Sequence, residues 1–187
     1  MVKIIYLDID GTLRDEAAGI SVRAKAALRQ CQTTGIQIVA CTGRSPGCVQ
    51  EDVLALDLDG IISGGGCYIS YHGKSLSVQQ FSPPTVERFL AFADTYRLGI
   101  SLELERGIYM NSVMADFYQA DAHKKFTGYS SAEISELLRR NKLSYQDTIK
   151  QYRPGRDLIH KVCVTGPHDR LKELRSRMAG AAQIVQD

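Results

Sequence analysis

The chain has 187 residues, 44% of them hydrophobic and 24% charged, which is the composition of a globular protein of one large domain or two small ones. Its 23 basic and 21 acidic residues leave a net charge of +2, which argues against nucleic-acid or membrane-surface binding driven by bulk electrostatics. No apolar run approaches the roughly 20 residues of a membrane span, and the opening MVKIIYLDIDGT lacks the pattern of a secretory leader.

Val2 to Leu7 is a continuous β-prone run of the kind found in strands covered on both faces, so a parallel sheet is expected. Ser21 is a candidate helix cap, with Ala24, Ala27, Leu28 and Cys31 following at helical spacing and Gly35 as terminator. Ile36 to Ala40 reads as a second buried strand. A turn at residues 42–46 leads into a short helix through Val49 and Val53, and Gly60 to Ser63 forms a third strand. The order β-α-β-α-β implies a doubly wound α/β domain with right-handed crossovers.

Beyond residue 63 the texture changes. Gly64 to Gly66 lead into a hairpin, Cys67 to Tyr71 and Ser75 to Gln79, turning at His72-Gly73. Pro83 and Pro84 open a helix carrying Val86, Phe89, Leu90 and Ala93 on one face. Ile100 to Leu104 and Gly107 to Asn111 read as an antiparallel pair. Ser130 and Glu133 suit a capping box before Ile134, Leu137 and Leu138. His160 to Thr165 reads as a strand, and Leu171, Leu174 and Met178 mark a further helix. The expected division is a core over residues 1–80 and a separate α+β domain over residues 81–187.

Five cysteines, at positions 31, 41, 48, 67 and 163, form no C-x-x-C pair, so neither a zinc site nor a disulfide framework is expected. Cys31 and Cys41 sit in apolar stretches and are expected to be small buried hydrophobes. The reducing cytoplasm is the compartment this implies. His72, His123, His160 and His168 lack metal-ligand spacing. The nine tyrosines are dispersed, as packing residues are, rather than arrayed to stack bases.

The chemistry concentrates in Y-L-D-I-D-G-T-L at positions 6–13. Asp8 and Asp10 stand at the carboxyl end of an apolar strand, where open α/β sheets bind ligands. Two carboxylates so close repel each other in a low-dielectric site, and a divalent cation relieves that cost. Magnesium takes oxygen ligands and keeps waters and substrate phosphate in its shell. A second motif, I-V-A-C-T-G-R at 38–44, follows the second strand with a hydroxyl and backbone amides at a helix start, an arrangement suited to phosphate.

The first motif resembles the D-x-D-G-T-[LV] signature of haloacid dehalogenase (HAD) superfamily phosphatases. The resemblance implies that Asp8 attacks phosphorus and that Asp10 protonates the leaving oxygen and later activates water. It places Mg2+ on the Asp8 carboxylate and the Asp10 main-chain carbonyl, and the substrate phosphate on Thr42 and Gly43. Arg44 matches the T-G-R of the Cof-like branch, where it lies near cap and substrate. I-I-S-G-G-G-C-Y-I at 61–69 resembles the I-S-x-N-G-A stretch of that branch, with Gly65 in place of asparagine and Cys67 in place of alanine.

The long insert after the third strand resembles a C2-type cap. The family's later lysine and G-D-x-x-[ND] acidic motif do not occur before Asp187, so the C-terminal core strands are expected to be missing and the first strand to be an edge prone to self-association. The expected function is a cytoplasmic, magnesium-dependent phosphatase of a small phosphorylated substrate. A phosphomutase on the same core and a truncated, non-catalytic phosphate- or partner-binding protein are the alternatives.

Overall fold

The computed structural model describes residues 3–143 and 148–181. In chain order the elements are β1 (Ile4–Asp8), α1 (Val22–Thr33), β2 (Gln37–Cys41), α2 (Glu51–Leu54), β3 (Gly60–Ser63), β4 (Tyr68–Tyr71), β5 (Lys74–Val78), α3 (Pro83–Tyr96), β6 (Gly99–Leu104), β7 (Gly107–Met110), α4 (Ser112–Lys125), α5 (Ser131–Arg140), β8 (Ile159–Thr165) and α6 (His168–Arg177). They fall into two compact units. The first holds the described residues within Met1–Gln79, Glu105–Gly107 and Ser130–Ser144; the second holds those within Gln80–Leu104, Ile108–Tyr129 and Tyr145–Asp187.

The first unit is built on a five-stranded sheet of order β1-β2-β3-β4-β5, the α/β arrangement expected from the strand and helix alternation. β1, β2 and β3 run parallel, while β4 and β5 return antiparallel. The register aligns Leu7, Ala40 and Ile61 in one row across the three parallel strands. That row packs against Ala24 and Leu28 of α1 and Val53 of α2, with Ile9, Leu13, Ile20 and Val49 completing the cluster. Removing such apolar surface from water is the main force holding the layers together. Gly60 is required where it stands, because a Cβ there would lie 2.8 Å from the Ser70 carbonyl oxygen.

Strand β1 is the terminal strand of this sheet among the described residues. It begins at Ile4, and Val2 of the expected strand lies outside the described residues. The expected single helix through Val49 and Val53 is instead a 3-10 turn at Pro46–Cys48 followed by α2, with Val49 extended between them. Cys31 and Cys41 are partly exposed, so the expectation for this pair fails.

The second unit centres on a sheet of order β7-β6-β8. Ile100 pairs with Val164 and Leu102 with Val162, and this apolar face packs on Val86, Phe89 and Phe92 of α3 and Leu174 of α6. The opposite face carries Ser101 paired with Cys163 and Glu103 paired with Lys161, beside Met114 and Ala115 of α4. Asn111 belongs to no strand: its side chain accepts from the Met114 N–H and caps α4, since a short amide side chain competes well for a helix's free donors.

Glu103 is buried, Lys161 lies 3.5 Å from its carboxylate, and the Cys163 thiol points to the same carboxylate at 3.4 Å. Burial first, and then the Glu103 charge, push the Cys163 pKa up to about 12. The thiolate is the nucleophile, so Cys163 stays a protonated, inert thiol at pH 8. Alkylation of the native protein at that pH is expected to leave Cys163 unmodified until denaturant is added. Labelling of Cys163 as fast as of the partly exposed Cys31 would contradict this.

Candidate active site

Asp8 ends β1 and is exposed, with the Thr12 hydroxyl 3.4 Å from its Oδ2. The chain then folds back on itself. The Gly11 N–H donates to the Arg14 carbonyl and the Arg14 N–H to the Ile9 carbonyl, and Gly11 takes a φ of 78° that favours glycine. This tight loop lifts Asp10 back over the end of the sheet while Ile9 and Leu13 stay in the core.

Register supplies the second wall. Asp8 pairs with Cys41, so the T-G-R loop starts one residue further along the neighbouring strand. Thr42 is buried and its N–H donates to the Ile62 carbonyl. Its Oγ1 accepts the Arg44 N–H at 3.1 Å, which occupies a lone pair and leaves the hydroxyl proton for an anion. Gly43 is exposed at the tip. Two of the three glycines after β3 brace this loop: the Gly64 N–H donates to the Arg44 carbonyl at 2.6 Å and the Gly65 N–H to the Thr42 carbonyl at 3.2 Å.

The two motifs meet at Asp10. Arg44 Nε donates to Asp10 Oδ2 at 2.6 Å and Nη2 to Oδ1 at 3.1 Å, a two-pronged ion pair. Gln50 Nε2 donates to the same Oδ1 at 3.1 Å. Burial would raise the Asp10 pKa, but Arg44, with help from Gln50 and the charge of Arg14, outweighs it and holds the carboxyl below its ordinary range. Asp10 is therefore ionised at neutral pH in this arrangement.

Arg14, buried to 2% side-chain exposure, is held in turn by Asp52, whose oxygens accept from Nε at 2.9 and 3.0 Å. Sequence reading did not single out Gln50, Arg14, Asp52 or Asn141. Their side-chain pairs span 38 to 127 residues, and no local pattern marks such pairs.

Residues 5–186 match the sequence pattern of the haloacid dehalogenase-like hydrolases. The chain belongs to that family. The HAD match covers nearly its whole length, and the Cof-like features of the T-G-R loop agree with it. YxeH of Bacillus subtilis is 33% identical over 106 residues, 56% of this chain and 38% of that protein. Phosphoglycolate phosphatase 1 of Saccharolobus solfataricus is 30% identical over 92 residues, 48% of this chain and 40% of that enzyme. These matches span less than half the length of either relative. A haloacid dehalogenase-like hydrolase structure from B. subtilis superposes with a TM-score of 0.71 at 18% identity, covering 96% of this chain and 67% of that one. That likeness carries the HAD fold.

The oxygens of Asp8 and of the Asp10 main chain fit a magnesium ion by chemistry, since magnesium binds through few carboxylates and fills its shell with water and phosphate. No third acidic, histidine or cysteine side chain joins them among the described residues. The Asp10 carboxylate is already committed to Arg44, so the oxygen of that residue open to a cation is the main-chain one.

Truncating Asp52 would strand the buried Arg14 guanidinium without its anionic partner. Breaking a buried pair from one side costs several kcal/mol. Asp52→Ala is expected to lower stability by about 3 kcal/mol in urea unfolding, and a change under about 0.5 kcal/mol, as at ordinary surface sites, would contradict the reading.

Proposed function

We propose that this HAD chain serves a magnesium-dependent phosphatase of a small phosphomonoester, a sugar phosphate or a phosphorylated cofactor, working through an aspartyl-phosphate on Asp8. The observation that carries this reading is the exposed Asp8 carboxylate at the strand end, with the Thr42–Arg44 loop in register beside it and Asp10 held next to it. The phosphatase named among its relatives also acts on a small phosphomonoester, as its name states.

Asp8 attacks phosphorus as the bond to the leaving oxygen breaks, and Asp10 gives that oxygen a proton. Water then attacks the phosphorus, Asp10 takes its proton, and inorganic phosphate leaves with Asp8 restored. Thr42 and the Gly43 amide bind the phosphoryl oxygens. Asp8 and the Asp10 carbonyl would hold a magnesium ion, which would supply neutralisation of phosphoryl charge.

The two-pronged Arg44 pair leaves Asp10 ionised and ready for the base half of this cycle. The acid half needs a proton on the same carboxylate. The five free cysteines support a reducing compartment such as the cytoplasm. No helix among the described residues is long and apolar enough to cross a membrane. The outer edge of β1 is the surface through which self-association would occur.

A non-catalytic phosphate-binding role is the second reading, favoured by the absence of a third acidic ligand among the described residues. Hydrolysis of p-nitrophenyl phosphate with magnesium separates the two. Turnover is expected, abolished by EDTA and lowered at least about a thousandfold by Asp8→Asn. Turnover that survives Asp8→Asn would remove Asp8 as the nucleophile, and phosphate binding without turnover would select the second reading.

A further inference from the structure

Asn141 caps the C-terminal end of α5, and it is 3% exposed. It belongs to the same compact unit as the Asp8–Asp10 loop, although 127 residues separate it from Arg14. Every polar group it has is engaged. Its side-chain Oδ1 accepts from Arg14 Nη1 at 2.6 Å. Its Nδ2 donates to the Glu16 carbonyl at 3.2 Å and to the Leu137 carbonyl at 2.7 Å. Its own carbonyl accepts from Arg44 Nη1 at 2.9 Å.

The last bond matters most. Arg44 spends Nε and Nη2 on Asp10, and its Nη1 reaches Asn141 and, at 3.3 Å, the Cys48 carbonyl. A guanidinium is a rigid plane, so fixing Nη1 fixes the direction of the other two donors. The carbonyls at a helix C-terminus also carry partial negative charge, which suits a cation. Asn141 is itself locked by Arg14, and Arg14 by Asp52. The chain of contacts runs from Asp52 through Arg14, Asn141 and Arg44 to Asp10.

We infer that Asn141 is a positioning residue: docking of the α5 end through Asn141 aims Arg44, and Arg44 sets the orientation of the Asp10 carboxylate. Its effect on turnover rests on the phosphatase reading; its effect on Arg44 does not. Asn141→Ala keeps the main-chain carbonyl but removes the three side-chain bonds that hold it in place.

The first readout needs no activity. In the 15N-labelled full chain, the Arg44 Nε–H signal is identified by its loss in Arg44→Lys. Solvent exchange of that proton is expected to speed up at least about tenfold in Asn141→Ala, while backbone amide signals of the sheet stay in place. Unchanged exchange would overturn the inference. Should Asn141→Ala fail to fold, Asn141→Ser, which keeps an acceptor for Arg14, is expected to show a smaller increase, and no increase there overturns it equally.

The second readout is the leaving group. A poor leaving group needs the proton that Asp10 gives and a nitrophenolate hardly does. Asn141→Ala is therefore expected to lower kcat for an alkyl phosphate at least about fivefold more than for p-nitrophenyl phosphate, with KM little changed. Equal losses on both substrates would mean a merely structural role. A wild-type chain without turnover would count against the phosphatase reading alone, and the exchange experiment would still decide for or against Asn141.

Discussion

The Arg44–Asp10 pair is the joint on which the site is assembled. Arg44 comes from the loop after β2 and Asp10 from the loop after β1, and their two-pronged ion pair ties the two loops together. Partial burial alone would raise the Asp10 pKa, and the Arg44 cation more than offsets it. The pair fixes Asp10 as an anion beside the strand that ends in Asp8. Gln50 takes up the second side of Oδ1, so the carboxylate has little freedom to rotate.

That joint rests on ordinary sheet physics. Two parallel strands in register put Asp8 level with Cys41, and the two connecting loops must then emerge side by side. The apolar row of Leu7, Ala40 and Ile61 sets which way each strand faces. A one-residue slip would turn Asp8 into the core and Leu7 outward. The chemistry at the strand ends thus depends on packing at their middles. The second unit shows the same division of labour on a smaller scale, with one apolar sheet face in its core and a polar face that holds Glu103, Lys161 and Cys163.

Local features were legible in the sequence. The strand before Asp8, the cap at Ser21 and the Ser130–Glu133 capping box all arise from neighbours a few residues apart, and all occur in the structure. Long-range features were not. Nothing near Asn141 in the sequence announces two arginines 97 and 127 residues away. Val49 shows the limit of periodicity: its spacing to Val53 suits a helix, but it is held extended between a 3-10 turn and α2, and buries its side chain all the same. The pattern recorded which side chains are inside and not the backbone that put them there. Asn111 shows the same limit, because the choice between strand end and helix cap depends on the helix that follows it.

In the proposed reaction Asp8 carries the phosphoryl group. Borohydride reduction during turnover converts an acyl phosphate to an alcohol, so peptide mass spectrometry of protein quenched in this way with a phosphomonoester and magnesium tests it directly. The account predicts homoserine at position 8 only when substrate is present. Aspartate unchanged at position 8 in a sample that is turning over substrate, or reduction at another carboxylate, would contradict it.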